Sequence, residues 1–179
     1  SLILDFDKTY KLKNFEYKNN GKIKNANFNL KDLNYNYFIG KNLKKLSIFE
    51  TDITTNLNPK KKIINFSGKY SFNEGSKLSF GISQSINKKL LNFKLNADYK
   101  ELFEFKALNY TKKKGNLAKI DFDLVKNKNS IKLNQVNFKD GKNLITLKGA
   151  EFSNGKLLQL DQLLVTTFKD NIKNNDFSM

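Results

Sequence analysis

Apolar and polar residues alternate along nearly the whole chain, and the alternation is interrupted at short intervals by Gly, Asn, Asp and Lys. Residues 136–165 hold the pattern in concentrated form. Phe138 leads into Lys-Asp-Gly-Lys-Asn and an apolar run from Leu144, and Phe152 leads into Ser-Asn-Gly-Lys and a second run from Leu157. Asp-Gly and Asn-Gly between apolar runs signal hairpins, because the tight turns that suit strand twist need positive φ. The same unit recurs upstream. Residues 2–18 alternate with period two, as do 23–30 (IKNANFNL), 32–40, 63–72, 78–82, 90–110, 120–124 (IDFDL) and 131–138. Turns are expected at Asn19-Asn20-Gly21, at Pro59, at 73–76, at the basic run 112–116 and at 127–130. Residues 41–58 are the least regular. The Leu43/Leu46 spacing hints at a helical turn, but Thr51, Ile53, Thr54 and Thr55 are β-branched and favour strand.

Period two throughout predicts an all-β fold. Apart from 42–50 and 155–164, no stretch keeps a 3.6-residue period, so no amphipathic helix is at hand to cover a sheet. Sequential strands on short turns pair antiparallel. The expected architecture is therefore an extended antiparallel meander of about twelve strands, curled into an open groove, with a closed β-sandwich or barrel as the alternative. One sheet segment is expected over 1–169, with a frayed polar tail at 170–179. The tract 23–30 is echoed by 117–124 (LAKIDFDL), which raises two related blocks, 10–89 and 90–169. The first residue is Ser1 and no leader or membrane-spanning run stands out, which reads as a segment of a longer protein.

Composition narrows the chemistry. The formal charge is +16, and all 33 basic residues are Lys, with no Arg and no His. Asn occurs 27 times beside abundant Lys, Ile and Phe, a bias that AT-rich codons also supply. Missing Arg removes the side chain best suited to bidentate base and phosphate contacts and so disfavours a nucleic-acid partner. Without His or Cys, only carboxylate, Lys, Ser or Tyr chemistry remains. The paired carboxylates Asp5/Asp7 and Asp121/Asp123 read as outward polar residues flanking Phe6 and Phe122. Each Gly-containing turn joins strand to strand, with no helix to cradle a phosphate. No catalytic, metal-binding or cofactor-binding set emerges, and the chain reads as non-enzymatic.

What remains to be explained is a large apolar face with nothing to cover it. The runs YKLKNFEYKNNGKIKNANFNLKDL, ALNYTKKKGNLAKIDFDLVKNKNSIKLNQVNFKDGKNLITLKG and AEFSNGKLLQLDQLLV resemble the repeating strands of AsmA-like proteins (the AsmA, TamB and YhdP group). That resemblance implies a long curled sheet with a hydrophobic groove in the periplasm of a Gram-negative envelope. It would be held to the inner membrane by an N-terminal region outside this sequence, and would shield phospholipid acyl chains moving between the two membranes. Phe80, Phe93, Leu95, Phe103, Phe105, Ile120, Phe122, Leu124, Leu133 and Phe138 are the expected groove lining. Two rivals stand beside it: a structural or surface β-sheet protein with no ligand, and a basic nucleic-acid-binding protein.

Overall fold

A computed structural model describes residues 1–30 and 43–179. Its main feature is one antiparallel sheet of twelve strands. These are β1 (Leu2–Phe6), β2 (Leu12–Asn29), β3 (Lys45–Leu57), β4 (Lys61–Phe72), β5 (Leu78–Asn87), β6 (Leu90–Tyr99), β9 (Ala118–Lys126), β10 (Ser130–Asp140), β11 (Asn143–Ser153), β12 (Lys156–Gln159), β13 (Gln162–Lys169) and β14 (Ile172–Ser178). Strands β7 (Phe103–Phe105) and β8 (Tyr110–Lys112) form a separate two-stranded ribbon around a 3-10 turn at Lys106–Leu108. Every neighbour in the main sheet is a near neighbour in sequence, and the order β1-β2-β3-β4-β5-β6-β9-β10-β11-β13-β14 does not close on itself. The expected all-β meander is what forms, and it is an open sheet, not a barrel.

The registers fix which residues share a face, because directly opposed residues in an antiparallel pair point the same way. One row crosses eight strands: Ile53, Phe66, Ile82, Leu95, Phe122, Val136, Leu147 and Leu163. Two residues along lies Phe80, Ala97, Ile120, Phe138, Ile145 and Val165, and in the other direction Phe93, Leu124, Leu133 and Ala150. The reverse face carries Ser83, Lys94, Asp123, Gln135, Lys148 and Gln162 in one row.

The places where the sequence period slips are β-bulges, which reset the phase and keep apolar residues on one face. In β3 the positions on the apolar face run Leu46 and Ile48, then Thr51, which is buried, and Ile53. The register shifts between Phe49 and Asp52, where two residues oppose Gly68 and Glu50 takes a φ of 43°. That slip, not a helical turn, explains the irregularity of 41–58. In β10 the step from Leu133 to Val136 is absorbed between Leu133 and Gln135. In β11 the step from Leu147 to Ala150 passes through Gly149 at φ 61°, where an added Cβ would run into the Asp161 side chain as the chain turns from β12 to β13.

Four expectations are corrected. Asn19-Asn20-Gly21 is not a turn: β2 runs unbroken through it, since β1 pairs one half of the strand and β3 the other. Residues 102–107 do not continue the sheet; they lift off it with β7. Asp7 lies in the β1–β2 turn, so it does not pair with Asp5 along a strand. The tail does not fray, because 172–178 forms the edge strand β14. The strand expected over 32–40 lies outside the described residues. The two blocks proposed from the internal echo meet within the sheet, where β5 and β6 are hydrogen-bonded.

Two outcomes follow from this packing. A Cβ on Gly68 would lie 2.6 Å from the Thr51 Cα, against backbone that cannot swing away. Gly68→Ala should therefore cost about 1–3 kcal/mol in urea unfolding. Tyr70 is buried and donates its hydroxyl to the Asp98 carbonyl, and burial raises its pKa far above the usual tyrosine value. The folded state thus holds a proton that the unfolded state loses above about pH 10. This contribution to stability is full below that pH and falls as pH rises. Tyr70→Phe should lower stability at neutral pH by about 1 kcal/mol yet flatten its alkaline decline, as read by unfolding at a series of pH values.

Candidate functional site: the apolar face of the sheet

Eight of the ten residues expected to line a groove lie on one face of the main sheet: Phe80, Phe93, Leu95, Ile120, Phe122, Leu124, Leu133 and Phe138. Phe93 and Phe122 meet edge to face at 6.2 Å. Phe103 and Phe105 are elsewhere, on the ribbon. Phe103 packs down onto Phe138, with ring centroids 5.4 Å apart, while Phe105 faces outward and is exposed. The one sign of this detour along the chain is that apolar residues fall on both phases, with Leu102 and Leu108 out of step with Phe103 and Phe105. The two strands of the ribbon are three residues each. Within the opening double unit, Ile145, Leu147 and Phe152 share the apolar face, whereas Leu144 belongs to the reverse face.

The ribbon is a roof over one margin of the face. Tyr99, Tyr110, Ala118 and Phe138 form a buried cluster there, joined by Phe103, Leu108, Ile120 and Ile145. The roof is tied down by polar contacts at its rim. The Tyr110 hydroxyl donates to Asp140 Oδ2 at 2.7 Å. The Asn175 side-chain amide donates to the Leu108 carbonyl at 2.7 Å and to Thr167 Oγ1 at 2.7 Å, and Asn174 reaches the Leu108 and Asn109 carbonyls at 3.2 Å. Edge strand β14 is ordered in part because it clamps the roof.

Lys112, taken with the basic turn 112–116 in the sequence, is fully buried. Its Nζ donates to the carbonyls of Glu101 at 3.1 Å and Lys113 at 3.0 Å and lies 5.5 Å from the centre of the Tyr99 ring. Burial pushes its pKa below the usual lysine value, while Asp140 and Glu101 pull the other way. Nothing in the run Lys-Lys-Lys distinguishes Lys112 from its neighbours. The difference comes from the strand position, which turns this side chain under the roof.

Beyond the roof the face is uncovered among the described residues. Apart from the fully buried Ala150, the side chains in the Leu95 and Phe93 rows are only partly buried, although they belong to the middle strands. The chain's accessible surface is 12569 Å², against about 8,900 Å² for a compact monomer of this mass. The Ile53-to-Leu163 row spans about 34 Å across the strands, and the unroofed rows extend about 13 Å along them. Either direction is on the scale of an acyl chain, which reaches about 15 Å in one bilayer leaflet.

The two margins of the face differ in charge. Opposite the roof, the β3–β4, β5–β6, β9–β10 and β11–β12 connections lie together. Residues 57–63, 86–91, 126–131 and 152–158 hold Lys60, Lys61, Lys62, Lys88, Lys89, Lys126, Lys128 and Lys156, all exposed, and no carboxylate. At the roofed margin the turns carry Glu74, Glu101, Glu104, Asp140 and Asp170 among their lysines.

Asp121 and Asp123 share the reverse face, where Asp123 pairs with Lys94 at 2.9 Å and accepts from Asn134 at 3.1 Å. No family model, curated protein or solved structure matches the chain.

If the roof covers only its own margin, weakening it should act locally. Phe103→Ala should raise amide hydrogen exchange across 100–117 by about fivefold to a hundredfold, as expected for a loss of roughly 1–3 kcal/mol. Protection in β4, β5 and β6 should stay unchanged.

Proposed function

We propose that the chain is a non-enzymatic segment of a bridge-like lipid-transfer protein, and that its apolar face shields phospholipid acyl chains between two membranes. The observation that carries this reading is the open apolar face. Rows of Phe, Leu, Ile and Val cross eight strands, stay partly exposed in the middle of the sheet, and are roofed at one margin only. A contiguous apolar surface of that extent on a water-facing protein calls for an occupant. For an acyl chain the physical match is good. Each CH₂ removed from water contributes about 0.8 kcal/mol, so a sixteen-carbon tail left in water costs on the order of 12 kcal/mol. A continuous apolar surface removes most of that barrier. Because neighbouring rows offer similar side chains, displacement across the strands is nearly isoenergetic, and no residue needs to do covalent work. The resemblance to AsmA-like strands supports a periplasmic setting, with membrane anchoring supplied by regions outside this sequence.

Native mass spectrometry of the purified protein should find co-purifying phospholipid. Phe93→Asp and Phe122→Asp, each placing a carboxylate in the middle of the face, should reduce bound lipid by about tenfold or more, with the circular dichroism of the sheet retained. Protein free of lipid, with transfer between vesicles unaffected by either substitution, would sink this reading in favour of a structural sheet without a ligand.

A further inference from the structure

We propose that the lysine-bearing margin opposite the roof is a docking surface for an anionic lipid bilayer, which sets the apolar face with that margin against the membrane. The inference deepens the lipid-transfer reading and rests on it for its biological sense, but it stands on separate observations.

The first is charge. Four adjacent connections present exposed lysines with no carboxylate among them, and none of these lysines takes part in an ion pair among the described residues. Codon bias could supply lysines anywhere, but it does not explain why these four connections hold no carboxylate while Glu74, Glu101, Glu104, Asp140 and Asp170 sit at the roofed margin. The one acidic residue of a turn beyond the lysine margin, Asp7, is tied up by three donors within its own turn. Basic side chains at an anionic membrane surface contribute about 1 kcal/mol each.

The second is apolar exposure at the same place. Leu157 and Leu158 are 53% and 65% exposed beside the 154–155 turn, and Ile131 is exposed beside Lys128. Lys62, Ile86, Leu91, Lys126, Ile131 and Phe152 lie in one row on the apolar face. Lysines and apolar side chains are thus interleaved along the margin, the composition that lies at a headgroup boundary. A single-stranded nucleic acid would stack on a run of exposed aromatic rings, whereas the exposed apolar side chains of the four connections are the aliphatic Leu157, Leu158 and Ile131.

The third is a projection. Tyr17 pairs with Leu57 at this margin, so residues 12–16 of β2 run on past β3, with β1 along their other side. The β1–β2 hairpin therefore stands about 17 Å beyond the margin. Its tip exposes Phe6 and Tyr10, the latter 90% exposed. Asp7 builds the tip: its Oδ1 accepts from the Thr9 amide and hydroxyl at 2.7 Å and from the Lys11 amide at 3.0 Å. Those donors, the Thr9 hydroxyl first, hold its pKa below the usual carboxylate value. The tip thus presents an aromatic pair on a preformed turn, the type of residue that anchors at a membrane interface.

The test is co-sedimentation of the full chain with vesicles of phosphatidylcholine alone and of phosphatidylcholine mixed with phosphatidylglycerol. The protein should prefer the mixed vesicles, and the preference should weaken as salt is raised. The quadruple variant K60Q/K88Q/K89Q/K128Q should lose at least about tenfold in affinity for them. The charge-matched control K106Q/K113Q/K142Q/K169Q, at the roofed margin, should bind nearly as well as the parent, and Tyr10→Ser should weaken binding. Equal losses in the two quadruple variants would overturn the proposal, since net charge alone would then account for binding. So would equal affinity of the parent for both vesicle types. Tighter binding of a single-stranded oligonucleotide, lost with the same four lysines, would reassign the margin to nucleic acid. The lipid found by native mass spectrometry separates the two claims. Protein that docks but carries no acyl chain removes the groove and leaves the docking margin standing; protein that carries lipid without preferring anionic vesicles does the reverse.

Discussion

Everything in this molecule depends on the mismatch between a wide amphipathic sheet and the small amount of chain available to cover it. A sheet with one apolar face normally buries that face against helices or a second sheet. Here the only covering element among the described residues is the ribbon at 103–112, and it reaches only one margin, around Tyr99, Ala118 and Phe138. The conventional buried core is correspondingly small. The rest of the apolar surface is organised by register and left open. Stability must come largely from the ladder of backbone hydrogen bonds and from cross-strand pairs such as Phe93 with Phe122, each modest alone but repeated along the sheet.

That arrangement makes the bulges important. A one-residue slip moves every following side chain to the other face. Each strand in which the apolar positions change phase has a local device that restores them: the bulge opposite Gly68 in β3, the bulge before Gln135 in β10, and the left-handed Gly149 in β11. The apolar face stays continuous across β3, β10 and β11 because of these three corrections. The roof has its own polar framework, in which the Tyr110 hydroxyl, Asp140, the Lys112 ammonium and two asparagines of β14 satisfy one another and nearby carbonyls. The roofed margin is therefore shut by specific contacts, whereas the other margin is left to lysines and exposed aliphatic side chains.

The strand content and the meander were legible from the sequence because both follow from local signals, period two and turn residues. The shared face of Phe93, Leu95, Ile120, Phe122 and Leu124 was legible for the same reason. Other features were decided by partners that local signals do not encode. Asn19-Asn20-Gly21 has turn composition, yet β3 pairs with it residue for residue and holds it extended. The 170–179 tail is polar, yet its asparagines find carbonyls on the roof. Lys112 is one of three identical residues, and only its place in β8 buries it. The two-margin charge pattern emerges when the turns are sorted by which end of the sheet they occupy, an ordering that the linear sequence interleaves.

The absence of native cysteine makes the central claim, that the middle of the face is open and available to an acyl chain, directly measurable. Leu95→Cys places a thiol in the uncovered row, and Ala118→Cys places one under the roof. With a soluble maleimide, the Leu95→Cys thiol should react at a rate close to that of the unfolded chain once the protein is delipidated, and slow on addition of palmitate. The Ala118→Cys thiol should remain protected in both conditions. A Leu95→Cys thiol that is protected in the delipidated protein, or one whose reactivity palmitate leaves unchanged, would contradict the account.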